Sequence, residues 1–303
     1  MRPTDPTTAR RLALALEAEA GELLRAIAHE PAPRPTDVRD ALAAATRTLA
    51  LLTDALEAEP AQAAEGCRVG TVEVTVPVLG VDGCRGGWVG AVLEPGVPRP
   101  RIAVAKSIAE LVETVRASLG VEVVGIDIPI GLPDNTIRQA DGLARRALPG
   151  KASSVFTTLT RAAYAAPDRA AADTVNRARS GQGVGAQAFA LRDKIVEVDA
   201  WVRSRPTVTV IEVHPELSFA AITGAPIRLT KKSDVGRTAR LEALRSVGVA
   251  SPSVLSGSGY GPDDVLDACA VAWTAARHAN GFATSRPTPP ERFSDGIPAA
   301  IWT

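Results

Sequence analysis

The sequence predicts an α/β fold, a sheet of mixed strand direction preceded by a helical hairpin. Three observations carry this expectation. Apolar residues recur at helical spacing over the first sixty positions. Near residue 70 the period changes to two. Beyond it, short turns join the first strands, whereas later ones are reached only through helical stretches.

From Thr8 to His29, Leu12, Leu16, Ala20, Leu23 and Ile27 lie on one helical face. Pro31, Pro33 and Pro35 end that helix, because proline lacks the amide a helix interior requires. Thr36 can cap a second helix carrying Val38, Leu42, Ala45, Leu49, Leu52 and Leu56, spaced four and three apart. Residues 1–65 therefore read as a hairpin that needs a surface to cover its apolar stripes, on the main domain, in a homodimer or on a protein partner. Eight arginines against eleven acids leave −3 over residues 1–70, which argues against a DNA-binding arm.

Residues 66–303 form the second expected domain. Val72, Val74 and Val76 alternate with polar residues, the period of a strand, until Pro77 breaks the run. VLGVDG (78–83) is almost wholly apolar, as in a strand buried on both faces. A turn at CRGG leads to WVGAVL (88–93), and RIAVAK (101–106) follows as the next strand. Ser107 and Glu110 match a capping box that opens a helix to about Leu119. VEVVGIDIP (121–129) is a strand, residues of about 130–205 a helical insert, and TVTVIEV (207–213) a further strand. A last helix spans Asp263–Ala279, with Val265, Cys269, Ala272 and Ala276 on one face, and the Pro-rich end (286–303) is expected to cross the surface. Short turns make the first three sheet strands an antiparallel meander. Helical crossovers make the later two parallel to the first.

Composition narrows the function classes. In 303 residues, 34 Lys and Arg balance 34 Asp and Glu, which excludes coating of nucleic acid by bulk positive charge. Three scattered cysteines (Cys67, Cys84, Cys269) suggest neither a disulfide framework nor a zinc site, so a cytoplasmic location is expected. No signal peptide or membrane-length apolar run is seen, so no membrane partner is expected.

The chemistry points to acids. Asp82 ends one strand, Asp127 lies near the end of another, and Glu212 near the end of a third. Parallel neighbours lie ~4.8 Å apart, so these three are expected to crowd at one sheet edge. Asp264 and Asp267, spaced i and i+3, share one face of the last helix, while Asp263 is the least preferred acid because it suits a helix N-terminus. Crowded carboxylates raise one another's pKa or require a cation. Oxygen ligands without His or Cys favour Mg2+ or Mn2+. Any one of these acids has an alternative role, capping a helix or bonding loop backbone.

The blocks Gly80–Trp88, Gly125–Leu132, Glu212–Glu216 and Asp263–Ala268, with Arg138, Asp141, Gln187–Asp199, Lys231, Lys232, Gly236 and Arg237, resemble the domain-of-unknown-function family 429 over roughly residues 78–302. That family is described as predicted nucleases of ribonuclease H-like fold. The resemblance implies a five-stranded mixed sheet with flanking helices and a metal-dependent carboxylate site made by Asp82, Asp127, Glu212, Asp264 and Asp267. The expected activity is phosphodiester hydrolysis on DNA or RNA, with Mg2+ or Mn2+ as cofactor.

Substrate contact is expected from Arg85, Lys194, His214, Lys231, Lys232 and Arg237. Each has a plainer alternative: a solvated helix face for the basic run at 231–240, a surface pair between Lys194 and Glu197, a strand-to-helix corner for His214. Gly181, Gly183 and Gly185 follow no strand and make a weak nucleotide loop, better read as a flexible lead into the next helix. Two other functions stay open: an actin-like or sugar-kinase-like phosphotransferase, and a non-catalytic binding protein on the same fold.

Overall fold

In a computed structural model the described residues are 71–303, together with residues 42 and 46. The expected helical hairpin of residues 1–65 lies otherwise outside them. Seven strands form one sheet: β1 (Val78–Cys84), β2 (Gly87–Glu94), β3 (Val97–Ala105), β4 (Val123–Ile126), β5 (Thr209–Val213), β6 (Ser285–Arg292) and β7 (Pro298–Trp302). Their spatial order is β3-β2-β1-β4-β5-β7-β6. The first three are antiparallel neighbours, and β4, β5 and β7 continue parallel to β1. β6 closes the edge antiparallel to β7.

One expectation needs correction here. The sheet has seven strands rather than five, because the Pro-rich end adds β6 and β7 instead of crossing the surface. Proline is tolerated there because β6 is an edge strand, with one side of its backbone free of ladder bonds. Residues 72–76 are not a strand, although the Val72 amide bonds the Val247 carbonyl and the three valines pack against the core.

Helix α1 (Ile108–Leu119) follows β3, and Ser107 caps it by accepting from the Glu110 amide. Between β4 and β5 run α2 (Gln139–Ala147), a short 3-10 turn (Ala152–Ser154), α3 (Arg161–Tyr164), α4 (Arg169–Ser180), α5 (Ala186–Ala190) and α6 (Arg192–Arg203). After β5 come α7 (Pro215–Thr223), α8 (Asp234–Ser246) and α9 (Pro262–Ala279). None of the described helices is long and apolar enough to cross a membrane.

Strand alternation divides the core. Val78 and Cys84 of β1, Val123 of β4, and Ile211 and Val213 of β5 pack on the face covered by α9. Leu79, Val81, Val124 and Ile126 face α1 and α6. Helix α9 is buried all round from Val265 to Ala276, so its apolar residues are not confined to one face. It lies flush on the sheet because Gly80 and Gly125, opposite each other on β1 and β4, leave room for it. A Cβ on Gly80 would stand 2.1 Å from the Ala272 nitrogen and 2.2 Å from the Ala268 carbonyl oxygen. These glycines set the height of α9, and with it the position of Asp267.

Candidate functional site

Asp82 and Asp127 extend the same pair of parallel strands. Val81 pairs with Ile126, and the Asp127 amide donates to the Val81 carbonyl, so the two acids stand at one level. Period-two alternation turns both toward the α9 side, where Gly80 and Gly125 lie two residues earlier. Asp267 comes down onto them from the first turns of α9. Asp82 is 8% and Asp267 3% exposed, and Asp127 is partly buried.

Burial and mutual repulsion dominate the electrostatics. Desolvation, then the charges of Asp127 and Asp267, hold the Asp82 carboxyl well above the usual range. Desolvation and Asp267 raise Asp127 to about 8, and desolvation raises Asp267. Lys231 opposes this crowding directly, and Arg240 also lowers the pKa of Asp267. Lys231, on the loop between α7 and α8, places Nζ 2.6 Å from Asp267 Oδ2 and also lowers the pKa values of Asp82 and Asp127. The other oxygen, Asp267 Oδ1, is buried without a hydrogen-bond partner.

Glu212 borders the same cavity and raises Asp127, but its carboxylate is engaged on the other side of the sheet. It pairs with Ile126, not with Asp127, so alternation turns it to the opposite face of the sheet from Asp82. There its Oε2 accepts from Arg138 Nη2 at 2.6 Å and from the Ile130 amide at 2.7 Å. Burial lifts Glu212 to about 7 against the opposing pull of those two donors. Arg138, wholly buried, also lies beside Asp141, whose carboxylate accepts from the amide and hydroxyl of Thr158. Asp264 is likewise occupied, accepting from the Gly261 amide at the start of α9. Among the described residues, no three His, Cys, Asp or Glu side chains stand close enough as they are to cage a metal ion.

A cavity of about 120 Å³ opens beside Asp82 and Asp127, walled by Phe156, Leu191, Glu212 and His214. His214 Nε2 bonds the Ser154 carbonyl at 3.3 Å, and desolvation lowers its pKa, which favours the neutral ring. A larger cavity, about 1260 Å³, lies where β4 and β5 begin, away from these acids.

The model of a family described as protein of unknown function (DUF429) matches residues 80–292. The chain belongs to this family. No curated protein and no solved structure matches it. The match to DUF429 spans Asp82, Asp127, Glu212, Asp264 and Asp267, and every basic residue expected to meet substrate.

Those basic residues divide. Lys231 joins the acids. Lys194, on α6, donates to the Gly87 carbonyl and lies 4.3 Å from the centroid of the Trp88 ring, its stem covering Gly83 next to Asp82. It does not pair with Glu197, which accepts from the Trp88 indole and the Ile108 amide. Arg85 is exposed in the β1–β2 turn, at the same sheet end as Asp82, and Lys232 is exposed beside Lys231. Arg237 pairs with Asp234 within its own helix. Arg240 is fully buried on Glu216, 2.6 Å away, so that part of the basic run is structural.

Arg138 was visible in the sequence only as part of a resembling block. A signal for its role existed in strand parity: Glu212, flanked by the core residues Ile211 and Val213, had to face the other way, and a buried carboxylate there needs a cation.

Proposed function

We propose that this member of DUF429 is a divalent-metal-dependent phosphodiester hydrolase acting on nucleic acid, on a ribonuclease H-like core. The carrying observation is the convergence of Asp82, Asp127 and Asp267, from three separate elements, on one side of the sheet. The order β3-β2-β1-β4-β5, antiparallel then parallel, is the reason for reading the core as ribonuclease H-like, with β7 and β6 as an extension.

The donor chemistry suits a hard cation, which the acids would have to close in on to hold. The donors are all carboxylate oxygens, one of them (Asp267 Oδ1) is buried without a partner, and Lys231 is the cation in contact with them, Arg240 acting on Asp267 from beyond ion-pair distance. Asp82, Asp127 and Asp267 would hold Mg2+ or Mn2+. Such ions supply a nucleophile at neutral pH and stabilise the leaving oxygen of an in-line displacement. The protein does the rest. Lys194 and exposed Arg85 flank the strand end carrying Asp82 and suit a phosphate backbone. Arg138 holds Glu212 and, through it, the Ile130 amide, which fixes the segment following Asp127. Glu212 supports the site from behind in this reading, and Asp264 holds the start of α9.

The test is cleavage of a labelled panel of single-stranded, duplex and branched DNA and RNA with Mg2+, Mn2+ or chelator. Cleavage that requires metal and is lost in Asp82→Asn supports the reading. A folded protein that cleaves none of them and is instead stabilised by ATP would replace it with the phosphotransferase reading.

A further inference from the structure

We propose that Lys231 is the internal counter-cation of the carboxylate site, occupying it in the metal-free protein and giving way when a divalent ion binds. The inference rests on the metal reading above and adds a competitor built into the chain. Lys231 Nζ lies 2.6 Å from Asp267 Oδ2, and its charge acts on Asp82 and Asp127 as well. One positive group thus serves the same carboxylates a metal would need.

The residue is built to leave without disturbing the fold. Its side chain is 39% exposed, while that of Asp267 is 4% exposed, so the lysine reaches in from the mouth. The backbone on its N-terminal side is pinned: Arg240 Nη1 donates to the Leu229 carbonyl, and the Ser233 hydroxyl and amide donate to the Thr230 carbonyl. Only the flexible four-carbon stem has to rotate. Swung outward, the ammonium remains beside Lys232 at the rim, where a substrate phosphate would meet it.

Mn2+ binding to the full chain, measured by calorimetry at one fixed pH, tests this with Lys231→Met, Lys231→Gln and Lys231→Arg. Removing the charge is expected to tighten Mn2+ binding by up to about fivefold, the usual worth of a partly exposed ion pair, and the arginine variant to stay near wild type. In chelator, Lys231→Met is expected to melt below wild type and to recover on adding Mn2+. Should that variant unfold, Lys231→Gln, which can still donate to Asp267, carries the same comparison. Wild-type binding that both neutral variants leave unchanged or weaken would overturn the counter-cation role and spare the metal reading. Absence of Mn2+ binding by folded wild type and by both neutral variants would overturn the two together.

Discussion

Arg138 Nη2 lies 2.6 Å from Glu212 Oε2, with both side chains almost completely buried. An ion pair out of water is costly to break from one side, since the survivor keeps its desolvation penalty without its partner. Arg138→Leu is therefore expected to lower unfolding stability by about 3–5 kcal/mol. The double change Arg138→Leu with Glu212→Leu should recover most of that loss in denaturant titrations. Glu212→Gln should weaken Mn2+ binding far less than Asp82→Asn does. An equal loss from the two would return Glu212 to the set of direct ligands.

The acids give the metal-free protein a defined pH response. Asp127, raised to about 8 chiefly by burial and by Asp267, binds its proton more tightly folded than unfolded. The folded state then carries more protons than the unfolded one between about pH 4 and 8, so stability falls as pH rises through that window. In chelator, melting temperature should drop from pH 5 to pH 8.5. Asp127→Asn should flatten part of that slope and melt above wild type at the alkaline end. Glu212, at about 7, adds to the wild-type slope and still titrates in this variant, so a residual fall is expected. A wild-type slope rising with pH would contradict the burial of these carboxylates.

Gly80 links the fold to the site. Any side chain there meets the backbone of α9 at 2.1–2.2 Å, and backbone cannot rotate away as a side-chain tip can. Gly80→Ala is expected to cost about 3 kcal/mol or more, the upper range for overpacking. Because α9 carries Asp267, the variant should also lose Mn2+ affinity at temperatures where it remains folded. Circular dichroism melts alongside calorimetry would separate the two effects.

Much of this arrangement was legible in the sequence, and what was missed has physical causes. Apolar runs fixed β1, β2 and β4, since a strand buried on both faces needs them. Asp82 and Asp127 were found because polar residues stand out at the ends of such runs. Glu212 does stand at that sheet end, bordering the same cavity as Asp82 and Asp127, but its pairing with Arg138 was missed because closeness along the edge was weighed without the alternation of faces, and one residue of register reverses a side chain. β6, with three prolines in SRPTPPER, has the composition of a loop, and only its pairing with β7 at the sheet edge makes it a strand. Lys231 lay in a basic run where solvation is the usual fate, and its partner Asp267 is thirty-six residues away in sequence.

Glu197 ties the helical insert to the main sheet. From α6 its carboxylate accepts from the Trp88 indole at 3.1 Å and from the Ile108 amide at 2.7 Å, the latter at the N-terminus of α1. An anion there satisfies an orphan helix amide and meets the positive end of the helix dipole. Glu197→Ala leaves the buried indole N–H of Trp88 and that amide without an acceptor, and hydrogen bonds to a charged group are worth about 1.5–3 kcal/mol. A stability loss of about 2–3 kcal/mol is expected, with Glu197→Gln costing roughly half because one acceptor oxygen remains. Lys194 shares α6 with Glu197 and leans on Trp88, so loosening this contact should also shift the fluorescence of Trp88. Recording emission in Trp88→Phe with and without Glu197→Ala isolates that contribution. An Ala variant as stable as wild type would mean the insert is held to the sheet by its apolar contacts alone.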